Sequence, residues 1–372
     1  MALKIGLVGL PNVGKSTLFN ALTKSTIAAQ NFPFCTIDPN VAITPVPDAR
    51  MSKLASIFGS KSILPCSMNF VDIAGLVKGA SQGQGLGNQF LSHIMEVDLI
   101  LHVLRFFEDG DILHVNDKIS PLDDFDVIMT ELAFKDLDSI EKRDAKLVGL
   151  IKKTSDPKQK KLFEEEQKIN IEIKKALDIL DYQKVKDLCA SAKEAGVFVV
   201  PLLTAKDFLV ATNFSEDQLQ NKAFENTDFY KNAVEKFGKE RVVPVCAKLE
   251  EDLSRMSDDE QMEMRKILEM DDAGFNTLIY SAFKRLDMIT FFTCGPKEIH
   301  AWAVKNGTKI NNAAGEIHSD LERGFICAEV YNYNDLIAAG SEVALKNSGK
   351  IKTEGKEYIT KDGDIVLIRF NV

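Results

Sequence analysis

The sequence predicts an α/β fold with a mostly parallel sheet, an inserted α-helical hairpin and a small C-terminal α+β domain. Short aliphatic runs alternate with helical patterns from residue 2 to about 125, which is typical of β-α-β units. The stretch from about 126 to 194 is long, charged and helical in pattern. The segment from residue 288 returns to short strands, short helices and glycine turns. These changes of pattern divide the chain into three regions.

The individual elements follow from local signals. Two helical patterns joined near Ser155–Pro157 predict an antiparallel hairpin, and a helix over about 275–287 closes the first domain. Aliphatic runs predict strands at 2–8, 66–73, 98–104, 197–203 and 241–246. The expected domains are a first domain formed by 1–125 and 195–287, a coiled-coil insertion at 126–194, and a C-terminal domain at 288–372.

Composition narrows the class of protein. With 372 residues the chain is long enough for two or three domains, and its net charge of −9 argues against a wholly basic nucleic-acid binder, so we expect no DNA partner. No secretory signal pattern and no long apolar run occur in the sequence, so we expect no membrane partner. The six cysteines and five histidines are scattered, which is typical of a protein in the reducing cytoplasm.

The segment Gly9–Thr17 is a complete phosphate-binding loop (P-loop) between the first predicted strand and the first predicted helix. Its pattern is G-x-x-x-x-G-K-S, in which the glycines let backbone N–H groups approach a polyphosphate. Lys15 adds positive charge at the β- and γ-phosphates, and the helix that begins there adds its dipole. The candidate phosphate-binding residues are Asn12, Val13, Gly14, Lys15, Ser16 and Thr17.

Three oxygen-bearing side chains are candidate ligands of Mg²⁺. Ser16 lies in the loop itself, and Asp72 ends an apolar strand in the position of a Walker-B carboxylate. Thr36 lies between the first helix and the next sheet element, where GTPase-like proteins bind the metal through a threonine. Gly75 completes the D-x-x-G pattern, and its N–H can approach a γ-phosphate. We therefore expect a Mg²⁺–nucleoside triphosphate site.

The residue after Gly75 bears on hydrolysis. Many GTPases have a glutamine there that positions the attacking water, whereas this chain has Leu76. Leucine has no polar atom with which to orient water. Hydrolysis is therefore expected to be slow, or to recruit another group.

We expect the residues that contact the base to follow the predicted strand at 197–203. Guanine-specific sites have N-K-x-D there, and this chain reads Thr204-Ala-Lys-Asp207, which keeps only the aspartate. The backbone at Cys246 and Ala247 is a second candidate contact to the base. These residues therefore do not support guanine specificity, and the sequence leaves both ATP and GTP as possible ligands.

Several long motifs resemble the YchF family, the Obg-like ATPases among translation-factor-type P-loop proteins. The P-loop is one of them, and three others are 31–40, 70–81 and 85–90. The similarity continues through the helical insertion to the C-terminal segment Ala314–Phe325 and covers essentially the whole chain. The resemblance implies a P-loop NTPase domain, a coiled-coil hairpin and a C-terminal TGS domain of β-grasp-like fold. It also implies hydrolysis of ATP in preference to GTP, and association with the ribosome.

The resemblance carries further expectations about residues. The family's base motif is N-x-x-E, which Thr204–Asp207 lacks, and family members have an apolar residue where Leu76 stands. His114 is the candidate catalytic group in place of the glutamine, because an imidazole can position water or move a proton. An alternative uses a monovalent cation, K⁺, held in part by Asn12. A basic tip at 152–161 is a candidate contact to ribosomal RNA.

Three functions are consistent with the sequence. The first is a slow, Mg²⁺-dependent ATPase that acts as a nucleotide switch on the ribosome. The second is an Obg-type GTPase, because the aspartate at 207 can also accept hydrogen bonds from guanine. The third is an interaction protein that is ordered by nucleotide and hydrolyses little of it.

Overall fold

The computed structural model describes residues 3–27, 40–73, 85–108, 119–268 and 274–371. The strands are β1 Lys4–Val8, β2 Val41–Pro45, β3 Ser62–Leu64, β4 Ser67–Asp72, β5 Leu99–Arg105, β6 Phe208–Asn213, β7 Val242–Val245, β8 Met288–Cys294, β9 Glu298–Lys305, β10 Phe325–Asn332, β11 Lys352–Glu354 and β12 Asp364–Phe370. The helices are α1 Lys15–Ile27, α2 Arg50–Phe58, α3 Gly85–Glu96, α4 Pro121–Lys153, α5 Pro157–Asp178, α6 Tyr182–Glu194, α7 Glu216–Leu219, α8 Asp228–Phe237, α9 Ala247–Leu253, α10 Asp258–Ile267, α11 Gly274–Arg285, α12 Ile310–Ile317, α13 Ser319–Arg323, α14 Tyr333–Ala339 and α15 Glu342–Asn347.

The chain forms two compact units, which we name and describe separately. The P-loop unit comprises Lys4–Phe19 and Val71–Leu249. The C-terminal unit comprises Met1–Leu3, Asn20–Phe70 and Glu250–Val372. Within the part of the chain that the structure describes, no helix is both long and apolar enough to cross a membrane.

The P-loop unit is built on parallel strands in the order β1, β5, β6 and β7. Every residue of β5 is buried, and so are the last four residues of β1, because helices cover both faces of such a sheet. The backbone N–H of Ile73 donates to Leu7 O at 3.3 Å, which brings the end of β4 beside β1. The predicted α/β class with a mostly parallel sheet is confirmed.

Because these strands are parallel, their carboxyl ends lie at one edge of the sheet. The P-loop follows β1 at this edge, and Phe106, Phe214 and Cys246 follow β5, β6 and β7. Backbone bonds join the strand ends: Phe106 N donates to Asn213 O, and Phe214 N donates to Val245 O, both at 2.8 Å. In open α/β sheets ligands bind at this edge.

The helical insertion begins earlier than predicted. Helix α4 starts at Pro121, and a proline is favoured in the first helical turn because its missing N–H has no partner there. Helix α5 returns antiparallel after a turn in which Asp156 caps Lys158 N at 2.9 Å, close to the predicted turn. Arg143 and Glu166 form a bidentate ion pair between the two helices at 2.6 and 2.9 Å. A third helix, α6, packs on the same apolar core through Val185.

The predicted strand at 197–203 is wrong. That segment has no strand conformation, and the sheet resumes at β6, which begins at Phe208. The backbone N–H groups of Leu203 and Thr204 donate to the Asp136 carboxylate at 2.8 and 2.9 Å, and the Thr204 hydroxyl donates at 2.7 Å. Burial raises the pKa of Asp136, while these three donors act in the opposite direction. The segment is therefore hydrogen-bonded to α4 and is not part of the sheet.

The C-terminal unit contains a separate sheet with the strand order β11, β10, β12, β8, β9 and β3. Strands β8 and β9 form an antiparallel hairpin, and β10 pairs antiparallel with β12. Helix α12 supplies Ile310 and Ala313 to a core that includes Phe291 and Val330. The unit also contains α11, which ends two residues before the predicted helix end. The C-terminal α+β organisation is confirmed.

One histidine lies in the core of the P-loop unit without a polar partner. His102 on β5 is fully buried, and within the described residues neither ring nitrogen has a hydrogen-bond partner. Its ring lies against Phe125 at 4.6 Å and Phe208 at 5.7 Å between centroids. Burial lowers the pKa of His102 to about 3, so the imidazole is neutral in the folded protein.

We predict that His102 makes the P-loop unit sensitive to acid. The pKa of His102 in the folded protein lies below its unfolded value of about 6.5. Its contribution to the free energy of unfolding is therefore complete above pH 6.5 and is lost as the pH falls below that value. Between pH 7 and pH 5 this loss amounts to about 2 kcal/mol. The free energy of urea unfolding, followed by helix circular dichroism, should fall less over this range in His102→Leu than in the wild type. The exposed His93→Leu variant should behave as the wild type, and an unchanged pH response of His102→Leu would contradict the assignment.

Candidate nucleotide-binding site

The P-loop lies between β1 and α1 with little room around its glycines. A side-chain carbon on Gly9 would lie 2.8 Å from Val103 O. Gly14 has φ +93°, and a carbon there would collide with the Asn213 side-chain amide. Asn12 also adopts positive φ, at 66°, and Leu18 N donates to Gly14 O at 2.9 Å as the helix begins. The glycines are therefore required by close packing and by backbone conformation.

The Lys15 cation and the Asp72 carboxylate, both predicted for this site, are in contact. The Lys15 ammonium group donates to the Asp72 carboxylate, and both side chains are largely buried. The contact joins the start of α1 to the end of β4. Ser16 follows Lys15 in the first turn of α1 and is exposed, and Thr17 is its half-buried neighbour. Asp72 therefore lies beside the P-loop, and its role as a Mg²⁺ ligand stays a prediction.

Asn213 joins the P-loop to the end of the neighbouring strand. Its side-chain amide donates from Nδ2 to Val13 O at 2.9 Å, and its Oδ1 accepts from Ala247 N at 2.9 Å. Asn213 is the last residue of β6 and is only 3% exposed. Both polar atoms of the amide are thus used in buried hydrogen bonds. Asn213 was not among the residues singled out from the sequence.

The predicted base contacts at Thr204 and Asp207 are corrected by the structure. Both residues precede β6, at the amino end of the parallel strands, whereas the P-loop is at the carboxyl end. Thr204 is bonded to Asp136, and Asp207 pairs with Lys186 of α6 at 3.1 Å. The prediction fails because the aliphatic run 197–203 is not a strand, and the strand that follows it is β6. The true strand, β6, ends at Asn213, and Asn213-Phe-Ser-Glu216 has the N-x-x-E pattern.

The remaining predicted residues divide into two groups. Cys246 and Ala247 follow β7 at the P-loop edge, are buried, and lie beside Asn213 through the Ala247 N–H. Thr36, Gly75, Leu76 and His114 lie outside the described residues. Within the described ranges, no group of three or more His, Cys, Asp or Glu side chains could hold a metal.

Comparison with known proteins identifies the family. Residues 4–135 match the family model MMR_HSR1, described as "50S ribosome-binding GTPase". Residues 288–371 match YchF-GTPase_C, described as "Protein of unknown function (DUF933)". The chain is 43% identical to the Ribosome-binding ATPase YchF of Escherichia coli O157:H7, and the match covers 100% of both chains. The chain belongs to the YchF family. The resemblance drawn from the motifs is confirmed.

Further comparisons also match over almost the whole chain. The Ribosome-binding ATPase YchF of Bacillus subtilis is 42% identical, again with 100% of both chains covered. The structure of the Schizosaccharomyces pombe YchF GTPase superposes with a TM-score of 0.84 at 34% identity, covering 99% of this chain and 97% of that one. A GTP binding protein from Pyrococcus horikoshii shares the fold, with a TM-score of 0.59 at 19% identity, over 99% of this chain and 100% of that one.

We predict that Gly14→Ala weakens nucleotide binding by at least tenfold. The added carbon meets the Asn213 amide and requires a backbone conformation that costs about 1–3 kcal/mol for a non-glycine residue. Gly149→Ala is the matched control, because its added carbon would meet nothing within 4 Å and α4 gains about 0.5–1 kcal/mol from alanine. Calorimetric titration of both variants with ATP and Mg²⁺ checks this, and equal affinities would contradict it.

Proposed function

We propose that this chain is a Mg²⁺-dependent ATPase that hydrolyses ATP slowly and acts as a nucleotide switch on the ribosome. The observation that carries the proposal is the meeting of the P-loop, the Lys15–Asp72 pair and the Asn213 amide at one edge of the sheet. The ribosome and the ATPase activity come from the names of relatives that match over their full length. Ribosome association would place the protein in the cytoplasm.

The phosphate end of the site is assigned to the P-loop. Backbone N–H groups from Asn12 to Thr17 at the start of α1 are suited to a polyphosphate, and Lys15 supplies the charge. The Ser16 hydroxyl and the Asp72 carboxylate are hard oxygen donors, which suit Mg²⁺, and the Lys15 contact supports a position of Asp72 within reach of the phosphates. Thr36 is the further ligand expected from the sequence. When bound, the ion neutralises charge that develops on the phosphate oxygens.

The base end of the site is assigned to Asn213–Glu216. Asn213 braces the P-loop, and Glu216, three residues later, is exposed at the first turn of α7. A carboxylate only accepts hydrogen bonds, and adenine offers its N6 amine as a donor where guanine offers an oxygen. The backbone at Cys246 and Ala247 is the second contact to the base. This arrangement favours ATP.

The catalytic group is assigned to His114, because Leu76 cannot orient water. A histidine that positions water or moves a proton contributes about 10²–10⁴-fold to a rate. A K⁺ ion near Asn12, which has positive φ in the P-loop, is the alternative source of charge. Either route is consistent with hydrolysis that is slow until a partner or ion assists it.

Contact with ribosomal RNA is assigned to the turn between α4 and α5. The turn follows Lys152 and Lys153 and precedes a second group of lysines that begins at Lys158. Lysines at 152, 153, 158, 160 and 161 are exposed. Phosphate neutralisation by such a tip would give ribosome binding that weakens as the salt concentration rises.

We predict that Glu216→Ala raises the dissociation constant for ATP by about tenfold and leaves that for GTP almost unchanged, because in the proposed arrangement the carboxylate accepts from adenine N6, where guanine has an oxygen that cannot donate. Asp207→Ala is the matched control, since Asp207 pairs with Lys186 at the other end of β6. Calorimetric titration with each nucleotide and Mg²⁺ checks this. The Obg-type GTPase alternative would be favoured if the wild type bound GTP as tightly as ATP or more tightly, because a carboxylate can also accept from guanine N1 and N2.

We predict that ATP turnover rises when ribosomes and K⁺ are added, and that His114→Ala lowers the stimulated rate by about 10²-fold or more. The control is His93→Ala, which removes an exposed histidine of α3. Phosphate release with and without ribosomes, in K⁺ and in Na⁺, measures both. Absence of turnover under every condition would leave an interaction protein that is ordered by nucleotide. Unchanged stimulated turnover in His114→Ala would remove this residue from the mechanism.

A further inference from the structure

The first half of the segment Asn213–Glu216, to which the base is assigned above, is fixed by neighbouring strands. The Asn213 side chain donates to the P-loop, and the backbone O of the same residue accepts from Phe106 N at 2.8 Å. Phe214 N donates to Val245 O at 2.8 Å. The Phe214 ring is only 2% exposed and lies 5.0 Å from that of Phe106 between centroids. The sheet therefore holds these two residues on both sides.

The second half of the segment leaves the sheet. Ser215 is half-buried, and Glu216 is exposed in the first turn of α7. Helix α7 has only four residues, and helices this short are marginal in water without other contacts. A carboxylate distinguishes two bases only if it is held where one base has a donor and the other an acceptor. Glu216 therefore needs a further contact that fixes its backbone.

The side chain of Gln218 supplies such a contact. Its Oε1 accepts from Ser215 N at 3.0 Å and from Ser215 Oγ at 3.1 Å. Its Nε2 donates to Phe106 O, in the backbone directly after β5, at 3.4 Å. The amide therefore bridges the residue before Glu216 to the end of a parallel strand.

The bridge requires an amide, whereas capping of α7 does not. Glutamine and glutamate both serve three residues after a serine at a helix start, because only an acceptor oxygen is needed there. The contact to Phe106 O needs a donor as well, and a glutamate would place a second oxygen against that carbonyl. A change of Gln218 to glutamate therefore separates the bridge from the cap.

We propose that Gln218 is a positioning residue that determines specificity, because it holds Glu216 where the carboxylate accepts from adenine N6. The proposal rests on the assignment of the base to Asn213–Glu216 made above. Gln218 acts through the backbone of Ser215 and contributes to the preference for ATP over GTP. Guanine has an oxygen where adenine has N6, so GTP gains nothing from a carboxylate at that place.

The test is calorimetric titration of the full chain with ATP and with GTP, each with Mg²⁺. We expect Gln218→Ala to raise the dissociation constant for ATP about three- to tenfold and to leave that for GTP within about twofold. Gln218→Glu should lower the preference for ATP by a similar factor, and its added negative charge acts on both nucleotides alike. Asp217→Ala changes an exposed residue of the same turn and should bind both nucleotides as the wild type does.

A double-mutant cycle with Glu216→Ala separates positioning from a general weakening of the fold. In that background Gln218→Ala should change ATP affinity no further, because the carboxylate that it positions is gone. The proposal would be overturned by an equal loss of affinity in both backgrounds, by an equal loss for ATP and GTP, or by wild-type preference in Gln218→Glu. Full ATP affinity in Glu216→Ala would overturn the assignment of the base as well. Loss of affinity in Glu216→Ala without loss in Gln218→Ala would overturn the role of Gln218 alone.

Discussion

The site depends on one buried side chain, the amide of Asn213. Its donor and its acceptor are both used, one on Val13 of the P-loop and the other on Ala247 after β7. Three loops that follow three parallel strands are thereby held at one edge of the sheet. A phosphate-binding loop needs fixed backbone N–H groups, and a rigid neighbour supplies this preorganisation. The close fit of Gly14 against the same amide shows why this position excludes a side chain.

The sequence predicts that the P-loop and the segment Thr204–Asp207 belong to one site, whereas the direction of the strands puts them at opposite ends of the sheet. At the carboxyl ends, Lys15 and Asp72 meet beside the P-loop. At the amino end of β6, the segment Thr204–Asp207 binds three helices. Thr204 is bonded to Asp136 of α4, Asp207 pairs with Lys186 of α6, and Lys206 donates to the last carbonyls around the end of α3 at 3.0 and 2.6 Å. This segment therefore joins α3, α4 and α6 to the start of β6.

The sequence predicts the phosphate end of the site because each requirement there is local. The P-loop pattern, its aliphatic strand and its amphipathic helix are contiguous, and Asp72 is the last residue of a strand. The base end was misplaced because strand β6, Phe208–Asn213, ends in Ala-Thr-Asn and is less apolar than the run 197–203 before it. That run binds Asp136, which is 67 residues away from Leu203 in sequence, and no local pattern reports such a partner. The N-x-x-E pattern that begins at the last residue of β6 is the sequence signal that identifies the correct segment for the base.

The central claim is that the Asn213 amide holds the P-loop in its binding conformation, and one measurement tests it directly. Calorimetric titration of Asn213→Ala with ATP and Mg²⁺ should give a dissociation constant at least tenfold above the wild type, because Val13 O and Ala247 N are left buried without partners. Far-ultraviolet circular dichroism should be unchanged, and Asn226→Ala, which alters an exposed asparagine of the same unit, should bind as the wild type. Wild-type ATP affinity in a folded Asn213→Ala protein would contradict the account.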